Sequence, residues 1–497
     1  MGARQLTFGP FVLDRGRMAL LRSGSVIPIG QRGFALLWAL AEEDETVSRT
    51  QLLEAVWPET EVEEGNLNVQ VAGLRKALGR RPDGQEWIIT MSRIGYRLVR
   101  DIEPSHPGAM VLPLLTLLPF QNLSGGEEEG RIASGIAEDL ANALGRFRDF
   151  ELQSPRSAGD HQSAASGSRT RYVLDGGVQR VADRLRITMQ LVDRSTGTHV
   201  WADGLDAAAG DSLAAQDDVT GRVTGGAVDA LQLAEIARAD RETNPSAYAF
   251  YLQAASKYKI LTARGHAECH DRICRALELD PSHTRALSHG AMVLGNNHRM
   301  GWPSLTADDR ATCSEFIERA EVSVNDDAQV LGECSDAMLH FTREYRRSVE
   351  IARRASVINP FSTRALVHFG IASLHCGDLD EAVDALERVS RLNSHGFLAS
   401  VSWAGLAHIA IVRGEYEEAI GFAGKSLAVT PRFDAPHWMM IAGHALLGRL
   451  DTARHHLAEF MRRVPNETVA RIRAGQPSYD PTRIEPILDG LHIAGMP

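Results

Sequence analysis

Apolar positions fall into distinct patterns along the chain, and each pattern keeps to its own stretch. In VEEGNLNVQVAGLRKALGRR (62–81), a step of 100° per residue puts Leu67, Val71, Leu74 and Leu78 on one stripe. This predicts an amphipathic helix with that stripe buried. The opposite face carries Asn66, Val69, Ala72, Gly73 and Lys76, with Asn68, Gln70 and Arg75 at its flanks. Just upstream, SRTQLLEAVW (48–57) opens on a helix-capping serine and turns Leu52, Leu53 and Val56 inward. FALLWALAEE (34–43) reads as a further short helix. Around these helices the period shortens to strands. LTFGPFVLD (6–14) and MALLRSGSVIPIG (18–30) are read so, the latter bent at Ser23–Ser25. EWIITMSRIGYRLV (86–99) reads as two strands joined by a tight turn at Ser92–Gly95.

A Pro/Gly/Ser/His break, PSHPG (104–108), reads as a linker. Beyond it strands and helices alternate. AMVLPLLTLLPF (109–120) holds a buried strand; it is shorter than the roughly 20 residues that span a bilayer. GRIASGIAEDLANALGRF (130–147) is a helix with Ile132, Ile136, Leu140 and Leu144 on one stripe. Residues 171–206 read as strand, turn at Ala182–Arg184, strand, turn at Ser195–Gly197, and a short strand around Val200–Trp201. QDDVTGRVTGGAVDAL (216–231) closes this part as a helix. Glu127–Glu129 is read as a solvated loop, and the polar SPRSAGDHQSAASGSRT (154–170) as a mobile one.

After Leu233 the chain is helical and repeats itself. GDLDEA begins at Gly377, GEYEEA at Gly414, GRLDTA at Gly448 and a weaker REYRRS at Arg343, with prolines after Asn359, Thr430 and Val464. A period near 34 residues with this turn predicts a solenoid of helix pairs, in which Ala382, Ala419 and Ala453 lie where helices approach most closely and Pro stops the second helix. Less regular pairs are expected in 246–325, with RALELDP (275–281) ending one of them.

Composition narrows the functional classes. The 497 residues suit roughly three domains. A net charge of −11 argues against wholesale binding to nucleic acid or acidic membranes, so any such surface must be local. One stretch qualifies: residues 75–100 hold seven basic residues (Arg75, Lys76, Arg80, Arg81, Arg93, Arg97, Arg100) against Asp83 and Glu86, while acids crowd 42–64. The five cysteines, none paired as CxxC, fit reduced thiols and a cytoplasmic protein.

Strands, three helices and a hairpin in this order make a winged helix-turn-helix. VSRTQLLEAVW, VEEGNLNVQVAGLRKALG and GYRL resemble the OmpR/PhoB-type DNA-binding domain, as in CadC- and HilA-like regulators. The resemblance implies a groove helix at Gly65–Gly79 and a wing at Ile89–Val99. The DNA-contacting set it leads to is Arg49, Thr50, Asn66, Asn68, Val69, Ala72, Arg75, Lys76, Arg93 and Arg97. The chain departs from the family at Ala72 and Gly73, where relatives often carry arginines, and at Arg93, where they carry a wing glycine. Mid-helix Arg–guanine pairs are therefore excluded. Asn66 and Asn68 become the expected polar base contacts, Val69 a thymine-methyl contact, and Lys76, Arg93 and Arg97 the phosphate contacts. LPFQNLSGG, YVLDGGV, RITMQLVD and TGTHVWAD resemble a TolB amino-terminal-like α/β domain, and the repeats resemble tetratricopeptide repeats.

The expected organisation is a winged helix at 3–101, an α/β domain at 111–235 and an all-α solenoid at 246–475. AIGFAGKS (419–426) spells a permissive phosphate loop inside a repeat helix, and His266, Cys269, His270 and Cys274 share a helix without a fourth ligand set; both read as structure. No catalytic, cofactor or metal site is expected, nor a receiver segment ahead of the winged helix. The reading is a DNA-binding transcriptional regulator whose partners are double-stranded DNA and, through the repeats, RNA polymerase or regulatory proteins. A homodimer is a further candidate; a membrane is not. The competing reading is a cyclase-associated signalling scaffold with no DNA role.

Overall fold

In the amino-terminal segment every predicted apolar stripe finds a partner. The computed structural model describes residues 5–8, 11–22, 25–42, 46–57, 64–79, 86–91, 95–98, 112–154, 170–208, 212–324, 326–393, 396–477 and 479–497. It divides into two units, Met1–Ala109 and Met110–Pro497. The linker expected at 104–108, most of the polar stretch at 154–170 (residues 155–169) and Arg93 lie outside the described residues.

The first unit opens with an antiparallel meander of β1 (Gln5–Phe8), β2 (Phe11–Asp14), β3 (Ala19–Arg22) and β4 (Ser25–Ile27). Then follow α1 (Gln31–Glu42), β5 (Val47–Ser48), α2 (Arg49–Val56), α3 (Glu64–Leu78), β6 (Ile88–Met91) and β7 (Gly95–Leu98). Ser48 caps α2 in a full capping box with Gln51, as its sequence required. Leu67, Val71, Leu74 and Leu78 of α3 are all buried against a core that includes Leu36, Leu37 and Leu40 of α1. Burial of each such side chain contributes about 1.5–3 kcal/mol. The two-residue β5 was not expected. It pairs antiparallel with β7, Val47 opposite Tyr96 and Ser48 opposite Gly95, and completes the sheet β5–β7–β6. Gly95 is required there, because a Cβ would sit 2.0 Å from the Val47 carbonyl oxygen.

The second unit begins with a sheet of order β10–β8–β11–β12–β13: β8 (Leu114–Leu117), β10 (Glu151–Gln153), β11 (Thr170–Val181), β12 (Arg184–Asp193) and β13 (Thr198–Ala208), with β9 (Gln121–Asn122) beside β11. β8 runs parallel to β10 and β11, and β11–β12–β13 is antiparallel. α4 (Glu127–Leu144) covers the sheet with Ile132, Ile136, Leu140 and Leu144, all buried. Two expectations fail here. Glu127–Glu129 is the first turn of α4 rather than a loop; acids suit a helix N-terminus, and buried Glu129 is ion-paired with Arg180. β13 is a full-length strand, because its pairing with β12 continues to Arg184–Ala208.

α5 (Ser212–Arg222) and α6 (Val228–Ala239) are one helix interrupted by a π-turn, Val223–Ala227. The turn lets the helix press on the repeats: a Cβ on Gly225 would lie 2.0 Å from the Leu392 carbonyl oxygen.

The helical array pairs α7 (Ala247–Tyr258) with α8 (Ala263–Leu279), α9 (Thr284–Arg299) with α10 (Asp309–Ser323), and α11 (Ala328–Ala337) with α12 (Tyr345–Ile358). α13 (Thr363–Cys376) then pairs with α14 (Leu379–Leu392), α15 (Phe397–Arg413) with α16 (Tyr416–Val429), and α17 (Asp434–Leu446) with α18 (Leu450–Arg463). This is the tetratricopeptide-like solenoid that the period predicts. Ala382, Ala419, Ala453 and, in the weaker repeat, Ser348 are fully buried at the helix crossings. Arg343 takes the left-handed φ of 64° where Gly414 and Gly448 take 81° and 77°. Its guanidinium donates to the carbonyl oxygens of Gln476 and Ala474, at 2.7 and 3.2 Å. The tail adds α19 (Val469–Gly475) and α20 (Glu485–Ala494), the latter burying Ile487, Leu488 and Leu491 in the core of the last repeat.

One buried cation ties the α/β part to the array. Arg285 on α9 is 4% exposed and donates from Nε to Asp327 (2.8 Å) and from Nη1 to Asp149 (2.9 Å), which also accepts from Gln232 (2.7 Å). We expect Asp149→Ala to destabilise the second unit by about 3 kcal/mol in urea unfolding of the full chain, since it leaves a buried guanidinium with one carboxylate where two answered it. Combining it with Arg285→Met is expected to recover much of that loss; an additive double variant would refute the coupling.

Burial also holds the imidazoles of His266 and His408 at about 4 and that of His340 at about 3, against an ordinary 6.5. The unfolded chain therefore takes up protons below pH 6.5 that the folded one refuses. Their contribution is fully present above 6.5 and is lost as pH falls toward 4, by about 1.4 kcal/mol per pH unit for each imidazole. The urea midpoint of this unit is expected to fall between pH 7.5 and 5, and a flat midpoint would contradict the assignment.

Candidate nucleic-acid interface

Burying one stripe of α3 fixes what the other side presents. Asn66, Val69, Ala72, Gly73 and Lys76 are all exposed along the outer face, and Val69 is 67% exposed although it is a large aliphatic side chain. A Cβ on Gly73 would meet nothing within 4 Å, so the helix backbone is open to close approach at the middle of this face. The face is therefore amide, methyl, bare backbone and one ammonium in succession.

The flanking residues have work within the fold. Arg75 donates from Nε and Nη2 to the Ile88 carbonyl oxygen (3.0 and 2.6 Å) and from Nη2 to Thr90 Oγ1 (2.9 Å), and is ion-paired with Glu86. It clamps α3 to the first strand of the hairpin. Asn68 accepts a 2.6 Å hydrogen bond from the Tyr96 hydroxyl on β7, which ties the same helix to the second strand. The Arg49 guanidinium lies 5.9 Å from the centroid of the Tyr96 ring. Thr50 is exposed in the first turn of α2, where the helix dipole favours an anion. Arg97 is half-buried on β7, opposite Ile89 of β6.

The structure thus brings Asn66, Val69, Ala72 and Lys76 together on one exposed face. It engages Asn68 and Arg75 in holding that face against the hairpin. The ties that Tyr96 and Glu86 make to α3 are not foreseen from the sequence; the signal for Tyr96 lies in GYRL, an aromatic on the strand that packs beside the helix. Of the basic residues of 75–100, Arg75, Lys76 and Arg97 are described, and Arg80, Arg81, Arg93 and Arg100 lie outside the described residues.

The other motifs take structural places. AIGFAGKS lies within α16, with no strand before it to present a phosphate loop. On α8, His266 and Cys269 are buried and Cys274 Sγ is 3.8 Å from His270 Nδ1. Among the described residues no group of three or more His, Cys, Asp or Glu is arranged to hold a metal ion, and no helix is long and apolar enough to cross a membrane.

Comparison with known proteins agrees with this geometry. Residues 24–98 match the family described as "Transcriptional regulatory protein, C terminal". The chain is 32% identical over 98 residues to "Response regulator SaeR" of Staphylococcus aureus, covering 19% of this chain and 43% of that one. It is 29% identical over 206 residues to "Putative adenylate cyclase 3" of Rhizobium meliloti, covering 40% of this chain and 35% of that one. It thus spans less than half the length of either curated relative. The crystal structure of the DNA-binding domain of CpxR from E. coli is 27% identical, covering 20% of this chain and 98% of that one, with a TM-score of 0.19. Residues 24–98 are a DNA-binding domain of the OmpR/PhoB type.

Proposed function

We propose that the chain is a sequence-specific, DNA-binding transcriptional regulator that acts in the cytoplasm by binding rather than by catalysis. The observation that carries this reading is the outer face of α3: a buried stripe and two side-chain ties hold out a strip whose centre is exposed Val69 beside open backbone. Such a strip suits the major groove, where a thymine methyl meets an aliphatic side chain and adenine edges meet an amide. Asn66 and Val69 read bases in this proposal; Lys76, Arg93, Arg97 and the Arg49–Thr50 helix start hold phosphates; Asn68 and Arg75 set the posture of the helix. The tetratricopeptide-like array serves as a scaffold for regulatory proteins or RNA polymerase, and dimerisation through it would match paired half-sites.

The test is selection of bound duplexes from a random pool by the full chain, followed by titration at several salt concentrations. A defined motif is expected, with log Kd linear in log salt. Lys76→Ala and Arg97→Ala are each expected to lower the salt slope by about 1 without changing the motif, and Asn66→Ala with Val69→Ala to change base preference at adjacent positions. Binding without salt dependence to any duplex would end the proposal.

Posture and contact separate by a second measurement. Arg75→Met is expected to destabilise the first unit by about 1–3 kcal/mol through the lost charged hydrogen bonds. Lys76→Ala should stay within about 0.5 kcal/mol. Equal effects of the two on thermal unfolding would contradict the division of roles.

A further inference from the structure

The inner face of the helical array encloses a cavity of about 280 Å³, close to the lower end of the roughly 300–1,000 Å³ usual for small-molecule pockets. The inner helices α7, α9, α13, α15 and α17 wall it, α6 of the α/β part forms another side, and the tail closes it through Gln476 and Ile484. That tail is fastened across the array. Arg343 holds Ala474 and Gln476, and Arg483 donates to the carbonyl oxygens of Leu374 and Gly377, at 3.3 and 3.2 Å.

The polar groups lining this space are unevenly satisfied. Its carboxylates have partners: Asp149 binds Arg285 and Gln232, Asp229 binds Asn393, Glu235 binds Arg171, Arg238 and Tyr172, Asp434 pairs with Arg463, and Asp336 accepts from Asn296 at 2.8 Å. Its donors do not. Arg285 Nη2, Arg299 Nε and Trp438 Nε1 are buried atoms without an acceptor among the described residues. So are one nitrogen each of His289, His340 and His375, whose residues are 1%, 2% and 4% exposed. An imidazole nitrogen donates or accepts according to its tautomer, but guanidinium and indole N–H groups only donate, so they decide the polarity of the site. Arg299 is one of several cations that line it, with Lys259, Arg285 and Arg364. It has no carboxylate within ion-pair distance among the described residues, and its one side-chain acceptor is Asn296 Oδ1 at 2.7 Å. Its charge also helps burial hold the neighbouring His266 imidazole down at about 4. Beside it, His266 stacks on Tyr258 (5.2 Å) and meets Trp302 edge-on (4.7 Å), a flat aromatic wall.

We propose that this cavity is a binding site for a small organic anion, with a carboxylate or phosphate head on Arg299 and an aromatic or aliphatic body against Tyr258, Trp302 and Trp438. Buried guanidinium and indole N–H groups without acceptors need them, and a charged acceptor satisfies them most strongly. Aromatic walls supply the apolar area that small-molecule sites use for affinity. The ligand would touch α6, the repeats and the tail together. This inference concerns residues 110–497 and stands without the DNA-binding reading, so failure of either leaves the other testable.

The test uses the full chain and four probes of similar shape: phenylacetate, phenyl phosphate, phenylacetamide and 2-phenylethanol, followed by calorimetry and tryptophan fluorescence. At least one anion is expected to bind and change the fluorescence, about tenfold or more tighter than the two neutral probes. Which anion is tighter tells a carboxylate head from a phosphate one. Arg299→Met is expected to remove that preference, and Arg299→Lys to retain part of it; circular dichroism confirms folding of both. Should Arg299→Met fail to fold, the contrast between anionic and neutral probes in the unaltered chain still decides. No binding by either anion, equal binding by the neutral probes, or undiminished anion binding by folded Arg299→Met would each overturn the proposal.

Discussion

A guanidinium taken out of water must be answered by charge at close range, and in the larger unit that demand falls on Arg285. Its two carboxylate partners come from different layers: Asp149 from the loop that leads into β10, and Asp327 from the N-cap of α11. Neither the sheet nor the array can shift without stranding an ion worth several kcal/mol. Other ties add to the constraint. Asn393, at the end of α14, donates to the Gly225 carbonyl oxygen inside the π-turn, and Gly225 permits backbone contact there. The α/β part and the repeats consequently form one unit, and the cavity between them is a product of their packing rather than of either alone.

The smaller unit applies the same economy to a helix surface. Arg75 and Asn68 sit at the flanks of the outer face of α3, where their polar ends reach strands β6 and β7. Fixing the helix through its flanks leaves the middle of the face to side chains that make no hydrogen bond or ion pair among the described residues. That middle is short and nearly uncharged, so in the proposed function affinity and specificity divide: phosphate neutralisation would fall to residues at the rim, and base discrimination to an amide and a methyl.

Much of this was legible from the sequence. The α3 stripe, the Ser48 cap, the helix stripe of α4 and the repeat turns at Gly377, Gly414 and Gly448 were all visible, because each is a local period or a local φ requirement. The features that escaped depend on distant partners. β5 is two residues long and exists only because β7 pairs with it. Glu129 looked solvated until Arg180, 51 positions away, closed on it. Arg75 and Asn68 read as solvent-facing by helical phase, and only the hairpin's position reveals that they are tied. The cavity is the extreme case, since its lining is drawn from helices spread over more than 300 residues between Asp149 and Ile484.

The imidazoles around that cavity bear on how a ligand there would act. Burial keeps His266, His340 and His408 neutral near pH 7, so these parts of the wall are polar without being ionic, and Arg299 reaches the Asp336 carboxylate only through Asn296, which accepts from the one and donates to the other. Nearly all the protein's own carboxylates nearby are already engaged, Glu333 among them: burial pushes its carboxyl up, but His289, Arg364 and Ser288 together hold it down at about 2. An entering anion therefore competes with water and not with an internal ion pair, which makes the site responsive to concentration rather than locked. Since the same cavity is walled by α6, the repeats and the fastened tail, occupancy favours whichever arrangement of these three keeps them closed around it. Linkage then sets the limit on regulation: such a ligand alters DNA affinity only by the factor with which DNA alters its own.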